Sequence, residues 1–471
     1  MDERKDSAPN IPPVFFGRVP RRRLLQIAGG GLAAVAGVAA LYETLALLSP
    51  APRRSGPPAH GYPPGQYQIA AYGVRTEPDP ESAVAVDIPP VWNMVVTATL
   101  RRAPGIPDQR RLEAALQAVE AVYPYSPAGV FLLVAYGLPY FRNYIRPDLY
   151  AAHLPHMADT DQAPVLLDAI RFASDPTSLA LEANDVVFHL RSDALEQLHD
   201  VQLALFGRSG RLAGQRAQAA DISDLFTVTS VRTGFVGAGL PRRMAQQAGL
   251  AVTAEIPETA PLFMGFTSTQ QLGQAREEAV SFEGRRDPLL LPLTSAKPGD
   301  YFAGGTTMHL SHLREDLDKW YALSYDERLA RMFHPGAATA PGRVTVATSW
   351  LNPNPAEFHA QRESVMGHNE AIQRGSRSEE GQALQLRADF NTMDPLDGSA
   401  AGPGVHFLTF TAGSQIFHRG RQAMDATTVE QRYGLAPTAN GINAFIRATR
   451  RQNFLAPPRM HRAFPLLEVQ S

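Results

Sequence analysis

Histidine carries most of the metal-ligating capacity of this sequence, which has 13 histidines and no cysteine in 471 residues. The lack of thiols excludes disulfides, thiolate zinc sites, iron–sulfur clusters, a thiolate-held haem and covalent C-x-x-C-H attachment. A haem in such a chain would be non-covalent and would take another ligand, histidine first. Imidazole ligates metals and moves protons, and guanidinium binds anions. Among the histidines are His359, in Phe358-His359-Ala360-Gln361-Arg362, and His368, in Gly367-His368-Asn369-Glu370-Ala371-Ile372-Gln373-Arg374-Gly375, with Arg377 just beyond. On their own, both histidines read as loop or helix-surface residues, as most histidines are.

Two H-x-x-H pairs, His153/His156 and His309/His312, have no further ligand cluster near them in sequence and no H-E-x-x-H context, so both read as structural. No G-x-S-x-G elbow, P-loop or strand-borne G-x-G-x-x-G occurs. The pairs Arg242-Arg243, Arg285-Arg286 and Arg450-Arg451 read as solvated surface, any one of which could meet a ligand's carboxylates. A formal net charge of −2 provides no global field for nucleic acid, and no nucleic-acid partner is expected.

The elements that must position these residues follow from periodicity. Val95–Leu100, Gly129–Ala135, Asp185–Leu190 and Thr227–Val231 read as strands, with amphipathic helices over Arg110–Val122 and Ser192–Phe206. The second half repeats the rhythm. Strands are expected at Leu262–Phe266, Thr306–Leu310 and Val405–Phe410, with helices from about His312 to Leu323 and from Ser414 to Met424. This order predicts an α+β fold of two ferredoxin-like lobes, antiparallel sheets packed against helices, over residues 89–250 and 251–471. Residues 49–88, rich in proline and glycine, read as a linker.

The N-terminus carries an address. Arg21-Arg22-Arg23-Leu24-Leu25-Gln26 has the pattern of a twin-arginine signal, followed by an apolar run from Ile27 to about Leu48. Residues 1–48 are thus expected to engage the twin-arginine translocase, which exports proteins already folded. The product would be periplasmic, extracellular or held at the outer face of the cytoplasmic membrane. The run is long enough to anchor in a bilayer if uncut, although Glu43 inside it weakens a permanent span. Ala34-Val35-Ala36 fits an A-x-A cleavage site but lies early.

From about Val231 onward the chain resembles the dye-decolorizing (DyP-type) haem peroxidases, of the dimeric α/β-barrel superfamily. Thr233-Gly234-Phe235-Val236-Gly237-Ala238-Gly239 sits where that family carries G-F-x-D-G. Phe302–Met308 resembles its G-G-S/T strand, Arg314–Trp320 the element after it, and Gly404–Phe410 its G-L-L-F strand. Phe417, Arg421 and Met424 lie on a segment similar to its next helix, and Asn453–Pro458 resembles its closing segment. The resemblance implies non-covalent haem b in the C-terminal lobe, hydrogen peroxide and an unidentified reducing substrate as reactants, and room for a homo-oligomer. It implies His368 as the iron ligand, with His359 the alternative, Arg374 or Arg377 on the distal side, and Phe407 at the cofactor. Ile372-Gln373-Arg374-Gly375 resembles the family's arginine-glycine segment. One departure stands out: Gly237 occupies the position of the family's distal aspartate, and glycine cannot move a proton. The competing expectation is a non-catalytic protein of the same fold that binds a small molecule or a cell-surface partner; a third is a haem carrier.

Overall fold

The computed structural model describes residues 30–50, 61–78, 85–158, 162–266, 274–283, 293–336, 364–378, 381–396 and 400–470. Helix α1 spans Gly30–Leu48. The first strand of the main sheet, β1 (Trp92–Leu100), is built on the β-branched run Val95-Val96-Thr97 and is followed by helix α2 (Ile106–Val122), which buries Leu112, Leu116 and Val119. Then come β2 (Phe131–Gly137), β3 (Val186–Ser192), α3 (Leu195–Phe206), β4 (Phe226–Phe235) and α4 (Leu240–Ala248). These strands pair antiparallel in the order β4-β1-β3-β2.

The second half contributes β5 (Thr306–Glu315), α5 (His368–Ser376), β6 (Leu386–Arg387), β7 (Phe390–Thr392), β8 (Gly404–Thr411), α6 (Ser414–Ala423) and β9 (Ile446–Ala456). Its order is β9-β5-β8-β7, with β6 also on β8. Both lobes therefore show the same arrangement, fourth strand beside first, then third, then second. The lobes join edge to edge. Asn391 of β7 pairs with Phe235 of β4, and Phe454 and Leu455 of β9 pair with Gly137 and Tyr136 of β2. Alternate residues then face two ways. Val95, Leu133, Val187, Met308, Leu310, Leu408 and Phe454 share one apolar cluster on the inner face. Val96, Leu132 and Phe188 pack outward with Leu116 and Leu198 of the helices.

Two sequence expectations are corrected. Leu262–Phe266 is not a strand, because side chains rather than a ladder bond its backbone. The Tyr321 hydroxyl donates to the Phe263 carbonyl at 2.7 Å, Trp320 Nε1 to the Met264 carbonyl at 2.9 Å, and the Phe263 N–H reaches Asn391 Oδ1 at 2.9 Å. The helix expected from His312 begins only at Leu317, since His312–Glu315 continue β5 in its ladder with β9. Strand pairing here overrides local helix propensity. The stretch read as a linker is also tied to the fold. Gln66 is buried, and its amide bonds the carbonyls of Val134 and Pro457 and the N–H of Val134.

The apolar N-terminal run has a place in the globule. In α1, Val38, Tyr42 and Leu45 are buried in the main core. The Tyr42 hydroxyl lies 3.0 Å from the Thr233 carbonyl, 3.1 Å from Asp394 Oδ1 and 3.2 Å from Thr392 Oγ1, and it accepts from the Met393 N–H at 2.7 Å. Exposed Glu43 meets His199 at 3.2 Å. Among the described residues no helix is long and apolar enough to cross a membrane. The twin-arginine segment itself lies outside the described residues. Tyr42→Phe should lower unfolding stability by about 1–3 kcal/mol, the range for stranding buried partners, in chemical denaturation. Removing the first 48 residues should lower it further, because Val38 and Leu45 leave as well. Equal stability of all three proteins would refute a structural role for α1.

Candidate functional site

Gly367 fixes where α5 starts. A Cβ there would stand 1.8 Å from the Phe333 carbonyl oxygen, so only glycine permits this backbone approach. Glu370 Oε2 accepts the Gly367 N–H at 2.9 Å, closing the first turn. His368 is thereby set at the helix start, with its ring on a cavity of about 2040 Å³.

The cavity wall in the C-terminal lobe is made by the outer face of the β5–β8 sheet and by helices α5 and α6. Leu313, Val405 and Phe407 come from the sheet, Ile372 from α5 and Phe417 from α6. The His368 imidazole forms no hydrogen bond with any described residue. Burial, aided by the charges of Arg387 and Arg421, pushes its pKa down to about 4, so the ring is neutral at physiological pH and keeps a free lone pair.

Two residues that sequence reasoning missed face the same cavity. Arg387 lies on β6 and Asp389 just beyond it, both on the outer face that carries Phe407. Asp389 Oδ1 accepts the Leu408 N–H at 3.1 Å. Burial raises its pKa to about 6, against the opposing pull of Arg387. The signal that could have found them is the alternation in Leu386-Arg387-Ala388-Asp389-Phe390, where two charged residues share a strand face opposite apolar ones. The strand is too short for that pattern to stand out.

The remaining candidates are placed as follows. Phe407 lines the cavity, and so does Gly237. A side chain at Gly237 would meet chiefly the flexible Leu240. Arg374 lies in the second turn of α5. Arg377 caps that helix, with Nε on Gln373 Oε1 at 2.7 Å and Nη1 on the Gly381 carbonyl at 2.6 Å, and it does not line the cavity. His359 lies outside the described residues. Of the other cavity cations, Arg451 is 2.6 Å from Asp175, both 1% exposed, and Arg421 is 3.2 Å from Asp425 and 3.5 Å from Asp175. Burial raises the Asp175 pKa, but the bond and charge of Arg451, the Phe172 N–H and the charge of Arg421 together outweigh it and hold the carboxyl below its ordinary range.

Of the H-x-x-H pairs, His309 and His312 have partners of their own. His309 bonds Asn453 and Ser311, each at 2.6 Å, and stacks on Phe417; His312 bonds Thr449 at 2.5 Å. Three residues apart on a strand, they point to opposite faces and cannot share one ion. Among the described residues no group of three or more histidine, aspartate or glutamate side chains could hold a metal ion by itself.

Several solved structures share the general architecture. A DyP-type peroxidase protein from Shewanella oneidensis is 16% identical, with a TM-score of 0.46, over 78% of this chain and 92% of that one. A Rhodococcus jostii DypB variant in complex with heme is 15% identical, with a TM-score of 0.49, over 79% and 94%. A dye-decolorizing peroxidase from Bacteroides thetaiotaomicron is 12% identical, with a TM-score of 0.46, over 80% and 94%. Likeness at this level transfers no residue's role. No curated protein matches the chain. A protein family described as of unknown function, DUF7405, matches residues 90–458, which is most of the sequence, and the chain belongs to that family.

Proposed function

We propose that this protein is an exported haem protein that reduces hydrogen peroxide at the expense of an organic donor. The observation that carries the reading is the His368 imidazole, neutral and without a hydrogen-bond partner among the described residues, presented to a cavity that also receives Arg387 and Asp389. The residues fit non-covalent haem b. The cavity exceeds the roughly 300–1,000 Å³ of ordinary ligand pockets, its walls offer Ile372, Phe407 and Phe417 to a flat apolar ring, and His368 offers a nitrogen lone pair to iron. Haem, when bound, supplies the two-electron chemistry by which peroxide becomes two waters while the donor gives up two electrons.

The chain's own contribution is charge and proton handling. Arg387 supplies a fixed cation to the cavity, where it can stabilise negative charge on a departing oxygen. Asp389, with a pKa near 6, can take a proton from one peroxide oxygen and return it to the other. It would thus perform at a different position the task that Gly237 cannot. Arg374 remains a candidate for the same face of the cofactor, and His359 for the ligand. We further propose twin-arginine export with a cut after Ala36, because a cut beyond Leu48 would remove Tyr42 and its bonds to the second lobe.

Gly237 specifically favours a second reading, in which the scaffold has kept its cavity but not its chemistry and binds a small molecule or a surface partner. The visible spectrum separates the two. With haem supplied, the protein should show a strong Soret band that shifts on adding peroxide, and His368→Ala should lose the band. A band kept in that variant but lost in His359→Ala would move the ligand to His359. A folded but colourless wild type would select the second reading.

Asp389→Asn should keep the Soret band yet lower peroxide turnover by about a hundredfold or more. A base of this pKa works when deprotonated, so the wild-type rate should climb as pH rises through about 6, and that limb should be absent from the variant. Unchanged rate and pH profile in Asp389→Asn would remove the residue from the chemistry.

A further inference from the structure

Four arginines are buried among the described residues: Arg191, Arg232, Arg451 and Arg462. Three have carboxylates at ion-pair distance. Arg232 meets Glu182 at 2.6 Å, Arg451 meets Asp175 at 2.6 Å, and Arg462 meets Glu120 at 2.6 Å and Glu113 at 3.0 Å. Arg191 is the exception. It is 6% exposed near the end of β3, its backbone in register with Asn93 and Phe131, and its guanidinium forms no hydrogen bond or ion pair with any described residue. It faces the large cavity on the inner side of the N-terminal lobe.

Burying a cation without a partner is costly, and proteins normally pair such a charge or bind an anion to it. Burial pulls the Arg191 pKa down to about 10, with Tyr125 and Glu277 pulling the other way, so the group stays charged at neutral pH. Glu277 is near enough to be felt but its Oε1 is committed elsewhere, accepting the N–H groups of Ile69 at 2.6 Å and Ala70 at 2.7 Å. That carboxylate disfavours a second negative charge nearby, and so disfavours a dianion such as phosphate. The cavity wall on this side includes Ile69, Val91 and Val236, which are apolar.

We propose that Arg191 anchors a subsite for an organic monocarboxylate, with the carboxylate on the guanidinium and the apolar body against Ile69, Val91 and Val236. The proposal does not depend on the haem reading. The carboxylate could belong to a free organic acid or to a carboxylate arm of a larger cofactor in the same cavity.

The test is calorimetric titration of the full-length, haem-free protein with benzoate, with inorganic phosphate as comparator. Benzoate should bind one to one and phosphate more weakly. Arg191→Met should weaken benzoate by about tenfold or more, the scale of a lost charge-assisted bond. The same variant should melt higher than wild type when no anion is present, because it removes an unpaired buried charge. No benzoate binding to wild type, phosphate binding tighter than benzoate, or unchanged benzoate affinity in Arg191→Met would each overturn the proposal. A ligand-free variant that melts lower would overturn it too. Repeating the titration after adding haem separates the two sources. Benzoate binding that persists marks a separate organic acid; binding that disappears, with weaker haem retention in Arg191→Met, marks the cofactor's own carboxylate.

Discussion

The two lobes meet along a seam that backbone pairing alone barely closes. One ladder pair, Asn391 with Phe235, links β7 to β4. Exposed strand edges must find partners for their N–H and C=O groups, and here side chains complete the seam. Asn391 Nδ2 reaches the carbonyls of Phe235 and Pro261 at 3.0 and 2.8 Å, and Asp394 Oδ2 accepts the Thr233 N–H at 2.8 Å. Tyr42 then enters from α1 and bonds both sides at once. Gly234 is what allows the approach, since a Cβ there would lie 2.2 Å from the Asn391 carbonyl oxygen. The other seam, β9 against β2, has two ladder pairs, and β9 also pairs with β5, so the hydrogen-bonded path returns to the second lobe.

This joining of edges decides where the cavity can be. The cavity is lined from the C-terminal lobe by outer-face residues such as Val405 and Phe407, under α5 and α6, and from the N-terminal lobe by the inner-face Arg191. Many buried polar side chains are bonded to one another or to the backbone. Asn453, for example, bonds both His309 and the Leu167 carbonyl. Groups without a hydrogen-bond partner among the described residues around the cavity include the His368 ring, the Arg191 guanidinium and Glu315 Oε2. Asp389 has a single backbone donor, from Leu408. Unsatisfied polar groups are expensive in a protein interior, and a wall that tolerates several of them fits a ligand site better than a packing accident.

The departure at Gly237 acquires a physical frame from this arrangement. The position lines the cavity, and its backbone would accept a side chain with little more than a shift of Leu240. Packing alone therefore does not require glycine at this position. Asp389, pushed toward neutrality by burial, offers a carboxyl in the same cavity from a different strand.

The sequence by itself determined the strands and helices with strong periodicity, from β1 through β4 and again at β8 and α6, because β-branched runs and amphipathic spacing are local properties. It ruled out thiolate chemistry by composition, and the family resemblance it carries pointed to His368 with His359 left open. It could not place Leu262–Phe266 or end β5 at Glu315, since side-chain bonds from Tyr321 and Trp320 and the ladder with β9 come from distant segments. Nor could it show that Val38, Tyr42 and Leu45 of the apolar N-terminal run pack into the core: hydropathy reads the same for a signal, an anchor or a buried helix, and the bonds of Tyr42 to Thr233 and Asp394 belong to the tertiary structure. Arg387, Asp389 and Arg191 were invisible for a related reason. A charged residue in a strand becomes a site residue only when the fold decides which face meets the cavity and which partners are withheld.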